Sequence, residues 1–146
     1  MKKVFIALVL VMGSFAMQAQ ELKWETDINK AISASNKTKK PMLLFFTGSD
    51  WCGWCIRLQK EVLKTPEFKT WAAKNVVLVE LDYPRSKPQS EAIKNQNNGL
   101  QQIFGIQGFP TVYFATAKVK GGKPSYTGIG STGYVAGGPS AWLEVA

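Results

Sequence analysis

Both cysteines of the chain fall in one short run, TGSDWCGWC, Thr47 to Cys55, with only Gly53 and Trp54 between them. Two thiols at this spacing can be a covalent staple, half of a metal site, or a reversible redox couple. A bridge between them closes a very short loop, and the chain-entropy gain of a disulfide grows with loop length, so a staple explains little. Structural zinc takes four ligands, and the chain offers no third cysteine and no histidine. The missing histidine also removes an imidazole general base and a Ser-His triad. The redox couple needs only what is present. A thiolate is the attacking species in disulfide exchange, and a cysteine at a helix N-terminus is stabilised in that form by unpaired backbone N–H groups and the helix dipole. Cys52 stands where a helix should begin, after a short loop holding Gly48 and Asp50, and Cys55 lies one turn further in. The first is then the nucleophile, and the second the resolver that frees the client from a mixed disulfide.

Positioning such a pair takes a strand, a loop and a helix, and the flanking sequence supplies them. MLLFF, Met42 to Phe46, is short and continuously apolar, as a strand buried on both faces would be. After it, Cys55, Leu58 and Val62 recur at helical spacing until Thr65-Pro66, where an N-cap followed by proline predicts a kink or a restart running through Trp71. Thr26 or Asp27 can cap an earlier helix carrying Ile28, Ala31 and Ile32, which Pro41 closes. VVLVEL, Val76 to Leu81, predicts a second buried strand; Pro84 and Pro88 bracket a loop; Leu100, Ile103 and Phe104 lie on a helix ended by Gly105. TVYFAT, Thr111 to Thr116, predicts a third strand, and Gly121-Gly122 turns the chain into a fourth around Ser125 to Ile129. Strands alternating with helices, then a hairpin, predict an α/β domain with a mixed sheet covered by helices.

The length and 45% apolar content suit one domain with one core. Residues 1–19 begin with Lys2 and Lys3, run apolar from Val4 to Met12 and end in small and polar residues, the layout of a secretory signal peptide. Cleavage after Ala19 leaves Met17 where a small residue is usual, and no cysteine near the junction could carry a lipid. The expected product is residues 20–146, exported to the periplasm or secreted, without stable membrane insertion, and monomeric. Loss of Lys2 and Lys3 takes the formal charge from +8 to +6. The lysines are scattered, Lys37, Lys39 and Lys40 forming the one tight cluster, without the aromatic interleaving that stacks bases, so no nucleic-acid partner is expected.

The order MLLFF, WCGWC opening a helix, VVLVEL, then FGIQGFPTVYF resembles the thioredoxin superfamily, and most of all its exported bacterial thioredoxin-like disulfide oxidoreductases, over roughly Leu22 to Gly130. A lone Cys-x-x-Cys is weak; joined to Gly-Phe-Pro-Thr, whose proline lies 55 residues after Cys55 and before a strand, it is specific. The resemblance implies a thioredoxin-like fold and exchange of the Cys52–Cys55 disulfide with protein thiols and disulfides. It implies no metal or organic cofactor, and an upstream redox partner that recharges the site. It also implies that Pro110 is cis and faces the disulfide, that Phe109 offers backbone groups to an extended client, and that Trp51 packs beside the site. Trp54, on the first helical turn, is expected to be exposed and to grip apolar client segments.

Three departures from the family pattern matter. Thioredoxins proper carry a buried acid six residues before the first cysteine, where Phe46 stands here; Glu80, on the neighbouring strand, is the candidate substitute. The Gly-Trp between the cysteines is neither the proline-containing pair of reducing thioredoxins nor the histidine-containing pair of oxidases and isomerases, which leaves the direction open. Without a histidine to stabilise the thiolate, a reductase or isomerase is expected rather than a strong oxidant. The closing helix has room only from Pro139 to Ala146 and is expected to be short or clipped. Two rival readings remain: a binding module for unfolded chains or a partner, acting through Trp54 and Phe109, and a narrow-client reductase, for example one acting on the haem-attachment motif in cytochrome c maturation.

Overall fold

The computed structural model describes residues 21–146; the expected signal segment lies outside the described residues. Elements follow in the order β1 (Trp24–Glu25), α1 (Ile28–Thr38), β2 (Met42–Thr47), α2 (Gly53–Leu58), a π-helical turn (Gln59–Leu63) and α3 (Pro66–Asn75). Then come β3 (Val77–Asp82), α4 (Glu91–Ile103), β4 (Thr111–Lys120), β5 (Lys123–Thr132) and α5 (Gly138–Val145). The five strands form one sheet in the order β1-β3-β2-β4-β5. β1, β3 and β2 run parallel, whereas β4 lies antiparallel to β2 and β5 antiparallel to β4. Among the described residues no helix is long and apolar enough to cross a membrane.

The unbroken apolar run of β2 follows from its place at the centre of the sheet with helices on both sides, every residue from Met42 to Thr47 being buried. Side chains alternate across a strand. Leu43 and Phe45 therefore join Cys55, Leu58, Val62, Phe68 and Trp142 on one face, under α2, α3 and α5. Met42, Leu44 and Phe46 join Ile28, Ile32, Leu100 and Ile106 on the other, under α1 and α4. The alternation revises the reading of Phe46. Six residues before Cys52 leads to a side chain on the far face, packed edge-on to Phe104 at 6.3 Å. Beneath the cysteines the sheet presents Phe45 and Thr47.

The break anticipated at Thr65-Pro66 is present and has a visible cause. The helix that starts at the cysteines widens, Lys64 N–H donating to Gln59 C=O at 2.9 Å, and the Thr65 hydroxyl then caps α3 with Pro66 in its first turn. Gly121 and Gly122 both have positive φ, +58° and +76°, the conformation a two-residue hairpin turn requires. β1 was not foreseen; two residues paired to Leu78 and Val79 are too short to leave a periodic signal.

Candidate functional site

The chain leaves β2 at Thr47 and turns at once, Gly48 C=O accepting from Cys52 N–H at 2.9 Å and Trp51 N–H at 3.3 Å. Gly48 is required by close approach: a Cβ there would lie 2.3 Å from the Trp51 ring. Cys52 is the N-cap of α2, its sulfur 3.2 Å from the Cys55 N–H and its carbonyl accepting from Ile56 N–H at 3.0 Å. The two cysteines form a disulfide with Cα atoms 5.2 Å apart. Cys52 keeps 6% of its surface exposed and Cys55 none.

Trp51 is built into the scaffold. Its indole N–H donates to Tyr83 C=O at 2.7 Å, the Arg85 guanidinium lies 3.8 Å above its ring, and Phe109 meets it edge-on at 5.8 Å. The Phe109-Pro110 peptide is cis, and Phe109 also packs on Tyr83 at 5.0 Å. Asp50 is tied to the chain that follows β3. It caps the loop after β3, accepting from Arg85 N–H at 3.0 Å and Ser86 N–H at 2.7 Å, and these bonds hold its carboxyl below the usual range.

Trp54 is 54% exposed on the outer side of α2 and is held in place there. Tyr134 packs against it at 5.0 Å, and the Arg57 guanidinium lies 5.3 Å from both rings. Glu61 ties the group together, accepting from the Tyr134 hydroxyl and from Arg57 Nε, and the two bonds lower its pKa. Tyr134 was invisible in the sequence because it stands in the glycine-rich tail, where no periodicity marks a side chain as positioned.

Glu80 shares the sheet face of Leu78 and Phe45, on the cysteine side, but it does not line the cavity at Cys55. It borders the adjoining hollow with Gln59, Leu63 and Lys64. Burial, and secondarily Asp82, push its pKa up against the pull of Lys87 and Lys64. Among the described residues no three cysteine, aspartate or glutamate side chains gather as a metal site would need.

A family model described as thioredoxin-like matches residues 23–117, the stretch that carries β1 to β3, most of β4, the disulfide and the cis proline. The chain belongs to the thioredoxin-like family. This thioredoxin-like chain is 36% identical to the disulfide bond reductase DsbH of Chlamydia pneumoniae over 126 residues, covering 86% of the chain and 71% of the relative. It is 35% identical to the thioredoxin-related protein DsbJ of the same organism, covering 74% of the chain but only 33% of that protein. A solved DsbH oxidoreductase superposes with a TM-score of 0.77 at 30% identity, over 92% of this chain and 88% of that one. A thioredoxin from Thermus thermophilus, at 15% identity and a TM-score of 0.62, shares the fold. With a disulfide at the N-terminus of α2 and homology to DsbH, this thioredoxin-like chain is a protein thiol-disulfide oxidoreductase.

Proposed function

We propose that the chain reduces or isomerises protein disulfides in an exported compartment, with Cys52 attacking and Cys55 resolving. The observation that carries this is the asymmetry of the pair: Cys52 caps α2 and keeps 6% of its surface exposed, while Cys55, one turn further in, keeps none. In the reducing direction the Cys52 thiolate attacks a client disulfide, expelling one client thiolate and leaving a mixed disulfide. The Cys55 thiolate then attacks the Cys52 sulfur, the second client thiolate leaves and takes a proton from solvent, and two electrons have passed to the client. A dithiol partner restores the reduced pair. Phe109 and Pro110 line the client's path beside Trp51, and Trp54, propped by Tyr134, grips apolar segments of it.

The direction rests on Trp54 in the slot where strong oxidants carry histidine, and the name of the relative DsbH, a disulfide bond reductase, agrees. The expected reduction potential lies between about −200 and −270 mV. Titration against glutathione measures it, and insulin reduction measures turnover. A value near −120 mV would make the chain an oxidase. A potential inside the window without insulin turnover would favour a narrow client, and no exchange with any disulfide would leave a binding module.

Glu80 is proposed to relay the proton of the resolving thiol. Glu80→Gln then slows release of the mixed disulfide by roughly tenfold or more while alkylation of Cys52 keeps its pH profile. The same substitution has a thermodynamic signature. Because burial raises the Glu80 pKa, the folded protein holds a proton that the unfolded chain releases between the ordinary and the raised value, so stability falls as pH rises through that interval. The Gln variant should therefore be the more stable protein at neutral pH and match the wild type in acid below the ordinary carboxylate pKa. Unchanged release removes Glu80 from the mechanism, whatever the stability curve shows.

A further inference from the structure

A cavity of about 620 Å³ opens behind the disulfide, where Cys55 lines it and Cys52 does not. Its charged lining is of one sign. Lys60 and Lys64 reach it from the helical segment after the cysteines, Lys87 comes from the loop after β3, and Thr47 and Ser49 form the wall at the end of β2. Lys87 is anchored there, its ammonium donating to Ser49 Oγ at 2.8 Å. Ser49 is anchored in turn, giving its hydroxyl to Asp82 Oδ2 and its N–H to Asp82 Oδ1 at 2.9 Å.

The other charges on the elements around Cys55 are hydrogen-bonded, ion-paired or outside its cavity. On α2 and the π-helical turn, Arg57 is paired with Glu61 beside Trp54. Asp50 is bound by the backbone of Arg85 and Ser86, and Arg85 lies over Trp51. On β3, Asp82 holds the Ser49 that anchors Lys87, and Glu80 borders an adjoining hollow where Lys64 and Lys87 also act on its carboxyl. β4 and α5 contribute Val112 and Trp142, both uncharged, to the buried cluster that holds Cys55.

A resolving cysteine with no exposed surface faces a difficulty: burial favours the neutral thiol, yet only the thiolate attacks. We propose that the lysine-lined cavity holds the Cys55 sulfur as a thiolate, with Lys87, fixed by Ser49, as the positioning residue that keeps a cation there. The thiol's proton leaves through the proposed Glu80 relay to solvent, and the anion left behind is stabilised by the field of three ammonium groups. The thiolate then attacks the Cys52 sulfur of the mixed disulfide and expels the client thiolate. The inference rests on the reading of Cys55 as resolver.

The test follows the ultraviolet absorbance of the thiolate against pH in Cys52→Ser at low ionic strength, with the cysteine-free protein as reference, so that reagent access to a buried sulfur plays no part. Lys87→Gln is expected to raise the midpoint by about half a pH unit, the scale of one solvent-exposed cation. That leaves roughly threefold less thiolate on the acid side of the midpoint. Lys87 is exposed, so its replacement spares the core. Lys87→Arg should restore the midpoint, Ser49→Ala should produce part of the shift by freeing the ammonium, and high salt should shrink all differences. The shift should persist in a Glu80→Gln background, which separates a direct field from one passed through that carboxylate. A midpoint unmoved by Lys87→Gln, or one that Lys87→Arg fails to restore, overturns the proposal. In the protein with both cysteines, release of a mixed disulfide should slow by the same factor. Should the midpoint shift while release does not slow, the resolver role of Cys55 fails and the cavity's hold on its thiolate stands.

Discussion

Cys52→Ser is expected to lose disulfide exchange altogether, and Cys55→Ser to become a trap that accumulates clients as mixed disulfides on Cys52. The two outcomes differ because the two sulfurs differ in access. Cys52 caps the N-terminus of α2, its sulfur next to the Cys55 N–H that favours the thiolate, and without it the remaining sulfur has no exposed surface. In the proposed mechanism Cys55 has one task, attack on a neighbouring sulfur held within a turn of helix, where confinement is worth an effective concentration of many molar. Without it, release waits for an external thiol, and the mixed disulfide persists long enough to be isolated. Mass spectrometry of trapped adducts reads both results. Adducts on Cys55 in Cys52→Ser, formed as fast as those on Cys52 in Cys55→Ser, would reverse the roles.

Much of this site could be read from local pattern. The position of Cys52 at a helix start needs only an apolar strand, a short loop with Gly48 and the recurrence of Cys55, Leu58 and Val62. The Thr65-Pro66 restart is written in a cap and a proline, and the short α5 in Pro139. What stayed hidden was assembled from remote segments. Phe46 counts as the position of the family's acid in a linear comparison, and only the pleat shows that it faces α4. Tyr134 reaches Trp54 from a tail that reads as glycine spacer. Lys87 and Lys64 look like solvated charges in the sequence and converge on one cavity because β3 runs parallel to β2 and brings its following loop over Ser49.

Trp142 makes the same point for stability, and its truncation carries the second large expected effect. α5 spans only Gly138–Val145, yet Trp142 is fully buried, meeting Phe68 edge-on at 5.7 Å and Trp71 at 6.5 Å within the cluster that holds both cysteines. Its indole N–H donates to Gly133 C=O at 3.0 Å. Trp142→Ala removes the largest buried side chain, opens a cavity its rigid aromatic neighbours cannot close, and leaves that carbonyl without its donor. The expected loss is about 3 to 5 kcal/mol, a large share of the roughly 5 to 15 kcal/mol typical of a whole domain. Urea unfolding should show a lower midpoint at unchanged slope. Trp142→Phe should recover most of the loss, the remainder being about 1 kcal/mol for the hydrogen bond. A loss below about 1 kcal/mol in Trp142→Ala would mean that α5 is peripheral to the core. The effect should reach the site as well, since Gly133 lies where a Cβ would come within 3.2 Å of the Pro110 carbonyl and precedes Tyr134, so the bond from Trp142 anchors the segment that props Trp54 beside the disulfide.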